Sequence, residues 1–278
     1  MPNHRLSFLY YKKLIFSLEK KFVDGIPAKH DRLLCDLPDS SKYYQKLYLE
    51  QVESFNLGVP AMKGPLPLDE NCKYCSKFHL ANLKTIDKDL DISTGKDLED
   101  KFQDFLQEIL STECPGATVK RADKKNLHNP DFLIEHSGKP IIWIEFKVIF
   151  RPYLTISKLN PNYQCYSHSL TLDISNGKKL INQRELVESQ NIGIDNCIYV
   201  YWYDLPCVKG IFWMAAKHVY KHQDNQTTYE RRIVPGDKTP QGKLRAAVKK
   251  IYLPLHEMND FYSIFSLIRA KLRHMPKK

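Results

Sequence analysis

Apolar residues recur at helical spacing near the start of the chain. Leu6, Leu9, Leu14, Ile15 and Leu18 form a stripe that predicts a first helix. A second helix is expected over "SKYYQKLYLEQVESFNL", with Ser40 or Ser41 as its cap. The following "GVPAMKGPLPLDENCKYC" is rich in Pro and Gly and reads as loop. The pattern then changes. In "STGKDLEDKFQDFLQEILS", Leu98, Phe102, Phe105, Leu106, Ile109 and Leu110 line one helical face, with Ser93 or Thr94 as the expected cap. "CPGATVKRADKKNLHN" holds a turn and a short strand. "PDFLIEH" and "PIIWIEFKVIF" read as two strands joined by the turn "HSGK". A helix is expected in "GKKLINQRELVESQ", then a strand pair in "NCIYVYWYD" and "VKGIFWMAAKHVY", and a last helix in "NDFYSIFSLIRAKLRH".

This order predicts an α/β or α+β fold, with helices on the faces of a mixed sheet. A soft boundary divides a mainly helical N-terminal region, residues 1–92, from a second region, residues 93–278. With 278 residues, 42% of them hydrophobic, the chain can build one large core or two modest ones. The 12% of aromatic residues argues against a disordered chain. No internal repeat or low-complexity segment stands out. The first residues mix Lys, Arg and Glu with apolar positions, unlike a secretory signal, and no stretch is long enough to cross a bilayer. The cytoplasm is the expected compartment.

Charge adds a partner to this picture. The 42 Lys and Arg outnumber the 32 Asp and Glu, giving a net charge of +10. A positive field of that size attracts polyanions, and nucleic acid is the usual one. The plainer alternative is a basic soluble protein whose charged runs are solvated faces.

The residues with chemical promise lie in "NPDFLIEHSGKPIIWIEFKV". Asp131 opens one expected strand, and Glu145 and Lys147 occupy the next. Side chains alternate along a strand, so Glu145 and Lys147 share a face. Ile142, Ile144, Phe146 and Val148 take the other face. The intervening turn brings Asp131 toward Glu145. Two carboxylates are hard oxygen ligands suited to Mg²⁺. A lysine beside them can orient or deprotonate an attacking water and balance charge on a phosphate. A buried ion-pair triad without activity is the competing reading, and such triads are costly.

Pro130-Asp131, thirteen further residues, then Glu145-Phe146-Lys147 resembles the PD-(D/E)XK nuclease motif. The resemblance covers residues 93–215. It implies a restriction-endonuclease-like αβββαβ core, with Asp131 and Glu145 as Mg²⁺ ligands and Lys147 as the catalytic lysine. It also implies a type II restriction endonuclease acting on double-stranded DNA as a homodimer, leaving 5'-phosphate and 3'-hydroxyl ends. Many family members carry a first-helix glutamate near the metal. Here that position falls to Glu99, four residues after Gly95; the alternative is a solvated partner of Lys96 or Lys101. Some members bring a Gln or basic residue from the helix after the catalytic strand. Gln183 is the candidate, among Lys178, Lys179 and Arg184; a polar helix face is the alternative. His168 and Tyr166 fall in an expected loop where DNA contact is open.

Seven scattered cysteines, Cys35, Cys72, Cys75, Cys114, Cys165, Cys197 and Cys207, do not form a disulfide framework. Cys72, Cys75 and His79 do have metal-ligand spacing, in a polar, turn-like stretch. Thiolate and imidazole suit a closed structural Zn²⁺ site, with Cys35 or His30 as a fourth ligand. Ordinary thiols near a turn are the alternative. Two further functional readings stay open: a repair, recombination or nicking nuclease with the same site, and a zinc-containing protein that holds nucleic acid without cutting it.

Overall fold

The structure, a computed structural model, describes residues 4–18, 88–123, 125–126, 128–149, 170–173, 179–189, 192–204, 209–225, 229–230, 249–253 and 257–275. Helix α1 (His4–Ser17) is followed by the long α2 (Lys88–Glu113). Then come β1 (Ala117–Arg121), β2 (Phe132–His136), β3 (Lys139–Ile149) and β4 (Leu170–Asp173). Helix α3 (Lys179–Ser189) precedes β5 (Cys197–Asp204) and β6 (Lys209–Ala215). Helix α4 (Ala216–Asn225), β7 (Tyr229–Glu230), β8 (Lys249–Leu253), β9 (Asn259–Asp260) and α5 (Ser263–Arg273) complete the elements.

Six strands form the main sheet in the order β1-β2-β3-β5-β6-β9, and β4-β8-β7 form a smaller one. The main sheet is mixed. β3 and β5 run parallel, and every other neighbouring pair is antiparallel. A parallel pair cannot be joined by a tight turn. The connection from β3 to β5 therefore carries α3. The β2–β3 hairpin closes through Ser137 and Gly138, at φ 51° and 74°. Two successive positive φ angles match the twist of the flanking strands, and glycine takes the second without strain.

Alternation in the sequence becomes two covered faces. Ile142, Ile144 and Phe146 of β3 lie beside Ile198, Val200 and Trp202 of β5, and all six are buried. On this side Phe102 of α2 stacks on Phe146, with ring centroids 4.1 Å apart. Phe132 and Trp202 flank Phe146 at 5.9 and 6.5 Å. The apolar face expected for α2 is fully buried, from Leu98 to Leu110. The opposite face of the sheet carries Tyr199 and Tyr201. It meets α4 through Tyr220, whose ring stands edge-on to Tyr199.

The structure departs from the sequence expectations in several places. α2 begins at Lys88, so Ser93 and Thr94 are interior helical residues and cap nothing. The boundary expected at 92/93 therefore falls inside a continuous helix. α1 buries Phe8, Tyr11, Leu14, Ile15 and Leu18, while Leu9 is exposed. Its buried arc is rotated because the aromatics displace Leu9 from the core. The strand expected through "VKGIFWMAAKHVY" ends at Ala215, and α4 starts at once. The second expected helix lies outside the described residues.

α1 belongs to the same core as the sheet. Ser7 Oγ donates to Asp260 Oδ1 at 2.5 Å and accepts from the Tyr262 N–H at 2.9 Å. Glu113, at the end of α2, accepts from Tyr10 at 2.8 Å, Tyr262 at 3.2 Å and Arg269 at 2.9 Å. Burial acts to raise the Glu113 pKa, but these hydrogen bonds outweigh it and hold the carboxyl below its ordinary 4.5. A lowered carboxylate pKa gives stability that is complete above the ordinary value and is lost as pH falls through the folded one. Glu113→Gln is therefore expected to cost about 2 kcal/mol at neutral pH. Urea unfolding across a pH series checks this. The gap between wild type and variant should close below the carboxylate range, and a pH-independent gap would count against it.

Candidate active site

The β2–β3 register fixes the centre of the site. Phe132 pairs with Ile144, so one step further sets Asp131 opposite Glu145. The Asp131 carboxylate is held there: its Oδ2 accepts from the Phe146 N–H at 2.8 Å. The Asp131 carbonyl in turn accepts from the Ala122 N–H at 3.1 Å, closing the segment that leads into β2. Local hydrogen bonds organise that segment. Asp123 Oδ1 accepts from Lys125 N, and Asn126 Oδ1 accepts from His128 N.

Glu145 is a carboxylate inside the protein, 1% exposed. Burying a charge is tolerated only where partners replace water. Two are in place. Lys147 Nζ lies 2.8 Å from Glu145 Oε1, and Gln183 Nε2 donates to Oε2 at 2.8 Å. Gln183 is itself buried on α3. Its Nε2 also reaches the His128 carbonyl at 3.3 Å, and its Oε1 accepts from the Tyr199 phenol at 2.6 Å. The neighbouring Asn182 Nδ2 sits 3.2 Å from His128 Nε2. Lys147 keeps 37% of its side chain exposed and bridges the buried carboxylate to solvent.

The structure thus brings Asp131, Glu145, Lys147 and Gln183 together, on β3, at the foot of β2 and on α3. Glu99 is engaged elsewhere. It pairs with Arg121 at 2.8 Å, and Arg121 also binds Asp100 and lies over the Phe132 ring. Arg184 pairs with Glu188 and Asp224 and covers the Tyr220 ring. Lys178, His168, Tyr166, Cys35, Cys72, Cys75, His79 and His30 lie outside the described residues.

Sequence reasoning passed over Tyr199, Asn182 and His128. One signal was present for the first. In "CIYVYWYD", Tyr199, Tyr201 and Tyr203 alternate with Ile198, Val200 and Trp202, giving one face with hydroxyl groups beside one without. The pairing that sets Tyr199 against Glu145 is parallel and crosses a long connection, so no local pattern encodes it. Burial drives the Tyr199 phenol far above its ordinary range, with Tyr220, Cys197 and Glu145 adding to the effect. It therefore remains a protonated donor. Burial also raises the Cys197 thiol, beside Glu145, which keeps that sulfur uncharged.

The donor set suits a hard divalent cation. Asp131 and Glu145 offer oxygen ligands from adjacent strands, and positive charge is already drawn to Glu145 in the form of the Lys147 ammonium. Among the described residues no group of three or more His, Cys, Asp or Glu side chains is placed to hold a metal. A cation here would rest on the two carboxylates, backbone oxygen and water, as Mg²⁺ sites often do.

No family model matches this chain, and no curated protein matches it. Among solved structures, a nuclease from a fusselovirus is similar at 9% identity, with 63% of this chain and 90% of that one covered and a TM-score of 0.36. A likeness this loose carries no argument about fold or activity. No helix among the described residues is long and apolar enough to cross a membrane.

Removing the cation from the buried pair has a measurable cost. Lys147→Met should lower unfolding free energy by about 2 kcal/mol, less than for a fully sealed pair because Lys147 is partly solvated. Equilibrium urea denaturation reads this directly. Unchanged stability would show that Glu145 does not depend on Lys147.

Proposed function

We propose that this protein is a Mg²⁺-dependent nuclease that hydrolyses phosphodiester bonds at Asp131, Glu145 and Lys147. One observation carries the reading. A carboxylate at the foot of β2 and a carboxylate–lysine pair on β3 are pinned into one spot by the Phe146 N–H and by Gln183. Support also comes from the succession α2, β1, β2, β3, α3, β5, which is compatible with the order that the motif's resemblance implies once β4, a strand of the smaller sheet lying between β3 and α3, is set aside.

In this reading Asp131 and Glu145 would hold Mg²⁺, which would supply charge neutralisation at the phosphate and a more acidic water. Lys147, partly exposed, orients or deprotonates the attacking water and offsets negative charge as the bond to the leaving oxygen breaks. Gln183 keeps Glu145 turned toward the site. Glu99 is paired with Arg121, and a role at the metal would require it to leave that partner.

The more specific form of the proposal is a cytoplasmic type II restriction endonuclease. It would act as a homodimer on double-stranded DNA and leave 5'-phosphate and 3'-hydroxyl ends. The net charge of +10 favours a polyanionic substrate. Residues 1–92, with a structural Zn²⁺ on Cys72, Cys75, His79 and Cys35, would contribute to recognition.

Asp131→Ala, Glu145→Ala and Lys147→Ala should each reduce Mg²⁺-dependent cleavage of plasmid DNA by at least about a thousandfold while DNA binding survives. Sequencing the cut ends separates site-specific cleavage from structure-directed nicking. Binding without cleavage in the wild type would leave a non-catalytic nucleic-acid protein. Metal analysis addresses zinc: about one equivalent is expected in the purified chain, lost in Cys72→Ser.

A further inference from the structure

Glu145 reaches its orientation through a chain of buried groups that begins outside the site. Tyr199 stands on β5, directly in register with Glu145 on β3. Its hydroxyl donates to Gln183 Oε1 at 2.6 Å, and the nitrogen end of that amide donates to Glu145 Oε2 at 2.8 Å. The same Nε2 holds the His128 carbonyl at 3.3 Å, in the segment that leads to Asp131. One amide thus spans the strand carrying Glu145 and the approach to Asp131. Tyr199, Gln183 and Glu145 are each buried to 1% exposure. Groups so closed off from solvent depend on one another, so each hydrogen bond constrains the next.

An amide has two ends, and it aims its donor only if both are held. Glu145 and the His128 carbonyl hold the nitrogen end. The oxygen end is held by Tyr199, whose ring is fixed by Tyr201 at 6.5 Å and Tyr220 at 6.2 Å. Groups that orient a metal ligand are commonly worth about 10–100-fold in metal affinity.

We infer that Tyr199 is a positioning residue for the metal-binding carboxylate, acting through Gln183 to hold Glu145 in its ligand orientation. The inference rests on the nuclease reading above and adds a residue that neither the motif nor its spacing identifies.

The test uses Mn²⁺ as the probe, measured by titration calorimetry on the full chain without nucleic acid. Tyr199→Phe keeps the ring and removes only the donor. It should weaken Mn²⁺ binding by about tenfold. In cleavage assays it should raise the Mg²⁺ concentration for half-maximal rate by a similar factor, with the rate at saturating Mg²⁺ within about twofold of wild type. Gln183→Leu should weaken Mn²⁺ binding at least as much. Adding Tyr199→Phe to Gln183→Leu should then change nothing further, because the phenol has lost the group through which it acts. A merely structural role for Tyr199 gives additive losses instead, and that result overturns the inference. So does wild-type Mn²⁺ affinity in Tyr199→Phe. If Tyr199→Phe fails to fold, Gln183→Leu alone decides: wild-type affinity there leaves the relay nothing to act on. The underlying reading fails separately, if the wild-type chain binds no Mn²⁺ or if Glu145→Ala binds it unchanged.

Discussion

A carboxylate in the interior is the constraint around which this fold is arranged. Glu145 is placed by strand alternation on the face of β3 opposite Phe146, and that face is covered. A charge so enclosed must be met by a cation and by donors. Lys147 comes from the same strand, two residues on, because strand period puts it there. Gln183 comes from α3, which lies over the face because β3 and β5 are parallel and need a helical connection. The polar site is therefore a consequence of the sheet's mixed topology as much as of the motif.

The other side of β3 does a different job with the same residues. Phe146 stacks on Phe102, flanked by Phe132 and Trp202. Its side chain anchors the strand on α2, and its backbone N–H holds Asp131. One residue thus couples the apolar core to a carboxylate of the site. A shift of β3 by one position would turn Glu145 into the aromatic core and Phe146 into the polar cluster, so packing fixes the register that the chemistry needs.

Much of this was legible in the sequence. The α2 stripe, the β2–β3 hairpin and the alternation around Glu145 rest on local periodicity, and the structure agrees with each. Gln183 was visible as a candidate because a helix was expected at its position. What stayed hidden depends on distant pairing. Nothing local to "CIYVYWYD" reports that Tyr199 faces Glu145, and nothing local to α2 reports that Glu99 is taken by Arg121. The cap at Ser93 failed because helical structure continues back to Lys88 and leaves Ser93 inside the helix. The rotated arc of α1 depends on tertiary packing: Phe8 and Tyr11 fill the core and Leu9 is left exposed.

The β2–β3 hairpin and the β3–β5 pair also differ in sequence separation. Asp131 and Phe146 are fifteen residues apart. Gln183 is thirty-eight residues from Glu145. Contacts within a hairpin close early and at little entropic cost, whereas parallel pairing across a long connection is slow. The two carboxylates are thus brought together by local contacts, whereas the amide and the phenol that orient Glu145 reach it only through long-range ones. The position of the acids and the orientation of one of them are separate debts of the chain: the first is owed to a turn of two residues, the second to the docking of β5.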